Sequence, residues 1–239
     1  MLSLAPTRYD LNFSLLGIPV RVHPAFWVVG MLLGFQTGDM RLTAIWIGCL
    51  FVSILTHEFG HALTARHFGW PPSVILYHFG GLATFQPSWG YTRKRAILIS
   101  LAGPGAGFLL YGIVVGIKLW LLEEHEDGKE WATQLLFRDG DFIPGTAFAI
   151  TRLEWINLYW GLMNLLPVYP LDGGQICSEL LNARASRKGL VRTHQIGMIT
   201  GASAALFFVS QDRMFAGLMF GGIAYDNFRK YEQISKYQY

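Results

Sequence analysis

Charge is what this sequence has least of. Of its 239 residues only 15% are Asp, Glu, Lys or Arg, against 52% hydrophobic and 15% aromatic. Soluble domains carry about 25% charged residues, so a water-soluble globule built from this chain would lack groups to cover its surface. Mean hydropathy is +0.33, in keeping with that deficit. The abundance of aromatic and aliphatic side chains excludes an intrinsically disordered chain. Cysteine is nearly missing: Cys49 lies inside an apolar run and Cys177 beside a charged segment, which excludes a disulfide framework. The formal net charge of +3 is small and scattered between apolar runs, so no nucleic-acid partner is expected. Residues 1–20 carry Asp10 and have neither a basic n-region nor a small-residue cleavage site, so they do not read as a removable signal peptide. These exclusions leave an integral membrane protein, read as a single domain over residues 1–239.

What the chain does have is a series of apolar runs, to be compared with the about 20 helical residues that cross a hydrocarbon core. They cover 22–38, 42–57 (continuing to 65 with Glu58 inside), 96–117, 155–171, 193–211 and, shortest, 214–225. The segments between them alternate in charge. Arg66, Arg93, Lys94 and Arg95 separate the second and third runs. An acidic stretch with Glu123, Glu124, Glu126, Asp127, Glu130, Asp139 and Asp141 follows the third. Arg184, Arg187, Lys188 and Arg192 follow the fourth, and Arg229, Lys230 and Lys236 close the chain. Because Lys and Arg are retained on the cytoplasmic side, the pattern predicts six spans with both termini cytoplasmic. Residues 70–87 differ: Val74, Leu76, His78, Ala83 and Phe85 alternate with other side chains around Gly80-Gly81, a pair suited to a hairpin turn. The expected fold class is therefore an all-α polytopic membrane protein, about six transmembrane helices with a short membrane-associated β-hairpin after the second. Glycines such as Gly103, Gly107, Gly217 and Gly222 are expected to permit close helix contact.

The second run contains His57-Glu58-Phe59-Gly60-His61. Residues four apart share a helix face, so both imidazoles can bind one metal. Glu58, about 100° round the helix, can lean over the metal's open position. Ionisable groups at membrane depth cost several kcal/mol unless paired or metal-bound, which marks them as functional rather than as histidines at a helix end. Zinc that keeps a water needs a third protein ligand. His67 stands where HExxHxxGxxH would place it, but Thr64 replaces the glycine that turns the chain back. On an uninterrupted helix His67 lies about 9 Å beyond His61 and cannot share its metal. Asp172 is the better candidate. It follows the fourth run in Asn164-Leu-Leu-Pro167-Val-Tyr-Pro170-Leu-Asp172-Gly173-Gly174, where the prolines break the helix and the glycines allow close backbone approach. An ordinary surface turn is the alternative. Both polar motifs fall at the cytoplasmic ends of their spans, and that shared depth favours the ligand.

These residues resemble the site-2 protease family of intramembrane zinc metalloproteases. HEFGH at 57–61 and NLLPVYPLDGG at 164–174 look like its two signatures, with Gly80-Gly81 and Ala102-Gly103-Pro104 as further landmarks. The compact layout is similar to the bacterial branch that processes sporulation factors. The resemblance implies one zinc per chain held by His57, His61 and Asp172. It makes Glu58 the catalytic acid/base and Asn164 an aid at the substrate carbonyl. A transmembrane protein is the implied substrate, cut within the lipid bilayer of a bacterial inner membrane, in regulated proteolysis that leaves room for a regulatory membrane protein. Gly107 departs from an Asn common in the third span of that family, and no PDZ or CBS domain is expected. A zinc transporter and a catalytically silent relative are the rival readings. Clustering of the metal-binding groups at one end argues against the first, and the intact Glu58 against the second.

Overall fold

The computed structural model describes residues 5–35, 38–78, 80–87, 90–122, 137–138, 141–142, 144–181 and 184–236. These are mostly helical, with one four-stranded sheet and a two-stranded one. The chain falls into two compact units, Met1–Gln86 with Gly105–Gly161, and Pro87–Pro104 with Leu162–Tyr239. Of the acidic stretch predicted after the third run, Glu123, Glu124, Glu126, Asp127, Glu130 and Asp139 lie outside the described residues.

The first unit begins with β1 (Leu11–Leu15) and β2 (Ile18–Val22), joined through Leu16 and Gly17, both at positive φ. Helices α1 (Pro24–Gly34) and α2 (Met40–His67) follow, then β3 (Pro72–Tyr77) and β4 (Gly80–Phe85). The strand order is β1-β2-β3-β4. β2 and β3 run parallel, with Val20 opposite Val74 and Val22 opposite Leu76, because the chain between them returns through two helices rather than a tight turn. Alternation along β2 buries Ile18, Val20 and Val22; with Val74 and Leu76 they pack on Ile54, Phe59 and Ala62 of α2. The sheet is thus a floor beneath the last part of α2. Asp39 caps the start of that helix by accepting from the Arg41 amide at 2.7 Å, and Gly69, at φ +83°, follows its end.

Three expectations change here. The fold is not all helix beyond one hairpin, because residues 11–22 add a second hairpin that the sequence reading left unassigned. The predicted first span, 22–38, yields a helix of only 11 residues. At 1.5 Å per residue that is about 16 Å, short of a membrane core. Val22 is spent on strand β2 instead. Finally, Gly80 and Gly81 are not the turn: the register pairs Tyr77 with Gly80, so both glycines belong to the returning strand.

α2 and α3 (Arg93–Leu122) each contain 28 residues long and apolar enough to cross a membrane. Helix α4 (Pro144–Asn164) starts before the predicted 155–171 but ends short of it, and the helices α6 (Arg187–Ser210) and α7 (Met214–Lys236) overrun the apolar stretches predicted for them into charged flanks. Lys, Arg and Glu are good helix formers, so a helix need not stop where hydrophobicity does. In the first unit, Lys118 of α3 pairs with Glu154 of α4 at 3.0 Å. There too, the Asn157 amide donates to Ser53 Oγ at 2.9 Å, both residues being buried.

The second unit holds α5 (Asp172–Leu180) and the antiparallel pair α6 and α7. Gly201 and Gly217 bring that pair together: a Cβ on Gly201 would lie 3.1 Å from the Ala224 methyl, and one on Gly217 would strike Val209. Gly222, expected at a helix contact, faces open space.

Candidate metal centre

His57, Glu58 and His61 lie where α2 rests on the sheet, and all three are buried. The helix continues without interruption past them, and Thr64 returns its hydroxyl to the Gly60 carbonyl at 2.8 Å. Helical spacing therefore sets the two imidazoles edge to face, with ring centroids 4.8 Å apart at 81°. Their Nε2 atoms stand 3.2 Å apart. A tetrahedral zinc ion with Zn–N bonds of about 2.0–2.1 Å separates two such ligands by about 3.3 Å. The pair fits one metal ion. His67 is at the exposed end of α2 with its ring against Phe68.

Glu58 is held by the returning strand. A Cβ on Gly81 would lie 2.6 Å from both Cδ and Oε1 of Glu58. Only glycine at that position leaves the carboxyl group its place. Tyr77, on β3, has its phenol pKa raised, first by burial and second by the negative charge of Glu58. The Gly80-Gly81 pair was legible in the sequence, but as a turn. Its use as a seat for Glu58 was not.

In the second unit, α4 ends at Asn164, half-buried, and the chain leaves the helix before Pro167, as a residue preceding proline disfavours helical backbone. Short-range bonds then fold residues 165–171 into turns: Val168 N donates to Leu166 O at 2.7 Å, and Leu171 N to Val168 O at 2.8 Å. Asp172 opens α5 and is buried. Its carboxylate suits the positive end of that helix. Gly173 and Gly174 seat the helix on the turns. A Cβ on Gly173 would fall 2.5 Å from Leu166 O, and one on Gly174 2.6 Å from Tyr169 Cα. The close approach read from Asp-Gly-Gly is present. The imidazoles of His57 and His61 form a donor pair able to hold one metal ion, and the buried Asp172 carboxylate has the chemistry of the expected third donor.

Sequence reasoning missed two further polar groups. Asn157 and Ser53 join α4 to α2 one turn before His57. Their signal was a polar residue inside each apolar run. Asn227 and His194, in the second unit, share a buried hydrogen bond of 2.9 Å. Asn227 escaped because the predicted last span stops at 225.

The pattern of peptidase family M50 matches residues 45–208. A zinc metalloprotease of Methanocaldococcus jannaschii is 28% identical over 201 residues, which cover 82% of this chain and 52% of that protein. The stage IV sporulation protein FB of Bacillus subtilis is 26% identical over 223 residues, 90% of this chain and 67% of that protein. The chain thus spans about half to two thirds of the length of these relatives. The solved structure of the site-2 protease from Methanocaldococcus jannaschii shares the fold, with a TM-score of 0.58 at 22% identity, covering 93% of this chain and 95% of that one. With both histidines, the glutamate and the Asp-Gly-Gly turn inside the matched residues, the chain belongs to peptidase family M50.

Proposed function

We propose that the protein is an intramembrane zinc metalloendopeptidase that hydrolyses peptide bonds within or near the transmembrane segments of membrane proteins. The observation that carries this reading is the buried His57–His61 pair, with Nε2 atoms 3.2 Å apart, on a helix apolar enough to cross a membrane. Polar groups at such depth are retained for function. His57, His61 and Asp172 hold the zinc, which supplies a Lewis acid and lowers the pKa of a water toward about 7. Glu58, seated against Gly81, takes the proton of the attacking water and delivers it to the leaving amine nitrogen. Asn164 donates its amide N–H to the carbonyl oxygen as charge develops there.

Because β4 ends the strand order, an unwound substrate segment adds beside it, and its backbone is held by main-chain hydrogen bonds that require no particular side chains. Prolines that remove outward-facing donors from β4 impair cleavage and leave zinc in place. The alternation of basic and acidic segments between the apolar runs supports a protease domain that crosses a bacterial inner membrane more than once. The resemblance of the signature motifs to the sporulation-factor-processing branch supports a place in regulated proteolysis, with a regulatory membrane protein as partner.

The test is zinc per chain in detergent-purified wild type, Asp172→Ala, His67→Ala and Glu58→Gln, followed by cleavage of candidate membrane substrates. About one zinc in wild type, lost from Asp172→Ala and kept in the other two, supports the ligand set. Zinc that survives loss of Asp172 but not of His67 overturns it. Uptake of zinc by vesicles without any proteolysis would point to transport instead.

A further inference from the structure

Asn227 sits on α7, far along the chain from either signature motif, and is 1% exposed. Its polar atoms are all engaged. Nδ2 donates to the Tyr169 carbonyl at 2.5 Å and to the Ile223 carbonyl at 2.9 Å. Two carbonyl acceptors fix the amide's orientation, which turns Oδ1 toward His194 Nδ1 at 2.9 Å. That nitrogen must therefore carry the proton. His194 is buried as well, and its ring meets the Tyr169 ring edge-on at 5.8 Å between centroids. Lys230, one turn beyond Asn227, places Nζ 4.9 Å above the same tyrosine ring. Gly197 makes room for the group: a Cβ there would lie 2.7 Å from Asn227 Oδ1.

The Tyr169 peptide is also where α5 begins to lean. Gly174 presses on it so closely that a Cβ would come within 2.6 Å of Tyr169 Cα. Asp172 stands between the two, three residues after Tyr169 and two before Gly174. A shift of the Tyr169 carbonyl moves the first turn of α5, and the Asp172 carboxylate with it.

We infer that Asn227, oriented by His194, is a positioning residue that holds the Tyr169 peptide and so aims Asp172 at the metal. The inference rests on the reading of Asp172 as the third zinc ligand. It adds a requirement that the signature motifs do not contain: α7 must be docked on the Pro-Leu-Asp turn before the third donor is in place. Groups that orient ligands from outside the coordination sphere change metal affinity by about 10- to 100-fold.

The experiment is chelator competition for zinc, with the cobalt(II) absorption spectrum as a reporter of ligand geometry, on the full chain in detergent. Wild type, Asp172→Ala, Asn227→Leu and the double variant are compared. Asn227→Leu is expected to weaken zinc binding about 10- to 100-fold and to alter the cobalt spectrum, with no further loss when added to Asp172→Ala. If Asp172→Ala is weak but Asn227→Leu binds as wild type, or weakens binding equally in both backgrounds, this inference is wrong and the ligand assignment stands. If Asp172→Ala binds as wild type, the ligand assignment fails and takes the inference with it. Should Asn227→Leu not accumulate as folded protein, His194 carries the test. His194→Gln, which can still donate to Asn227, keeps the affinity, and His194→Leu loses it; equal affinity in those two variants overturns the inference.

Discussion

The Glu58 carboxyl group lies in the space where a side chain at position 81 would start, 2.6 Å from the point where a Gly81 Cβ would stand. A strand laid against the metal-binding helix thus packs its glycine backbone on the proposed acid/base. Gly81→Ala must displace either the strand or the carboxylate. Loss of general acid–base catalysis costs about 10²- to 10⁴-fold, and a misplaced Glu58 should show at least the lower part of that range. The imidazoles are untouched, so zinc content should remain at the wild-type level. Cleavage rate and zinc content, measured on the same preparation, check both halves of the expectation.

Glu58→Gln keeps the shape of the side chain and its packing on Gly81 but cannot accept a proton. Cleavage should fall by about 10²-fold or more while thermal stability and zinc content are retained. A variant that loses zinc along with activity would show that Glu58 serves the metal rather than the proton.

Gly173 has less room than Gly81, because the atoms it meets are backbone. An added methyl would sit 2.5 Å from Leu166 O, where no side chain can rotate away. Gly173→Ala should therefore destabilise the turn by about 1–3 kcal/mol, the usual cost of overpacking, and lower zinc affinity as Asp172 moves. A lowered melting temperature together with weaker zinc retention against a chelator is the signature to look for.

Asn157 and Ser53 make the buried hydrogen bond that ties α4 to α2 within the first unit. Asn157→Ala leaves the Ser53 hydroxyl buried without this partner, which costs about 1–3 kcal/mol. Ser53→Ala in the Asn157→Ala background should cost little more. A double-mutant cycle on unfolding in detergent measures the coupling, and additive losses would mean that the two residues act separately.

Zinc removal should loosen the protein as well as silence it. A ligand that binds only the native state stabilises it by about 2.7 kcal/mol when present at 100 times its dissociation constant. Chelation should therefore lower the melting temperature of wild type but leave that of a His57→Ala His61→Ala variant unchanged.

Much of the candidate site was legible because it is local. The helical repeat alone puts His57 above His61, and the 3.2 Å between their nitrogens follows from spacing that any α-helix would impose. Pro167, Pro170, Gly173 and Gly174 likewise state their business in sequence: the first two stop a helix, and the last two let another start against the backbone just behind it. Apolar runs long enough to cross a membrane mark α2 and α3 in the same way.

What depended on distant partners could not be read. Val22 was read as the start of a span and Val20 was left unassigned, because nothing near them reveals that Val74 and Leu76 will pair alongside, more than fifty residues later. Gly81 looked like a turn glycine, since a Gly-Gly pair favours turns and only the register against Tyr77 and the approach of Glu58 assign it to a strand. Asn227 carried no signal at all beyond being polar just past the last apolar run. Periodicity, helix breaking and hydropathy are short-range and are written residue by residue in the chain. Which strand lies beside which, and which buried amide meets which carbonyl, is decided only when the core closes, because those contacts gain their energy from burial shared among segments far apart in sequence.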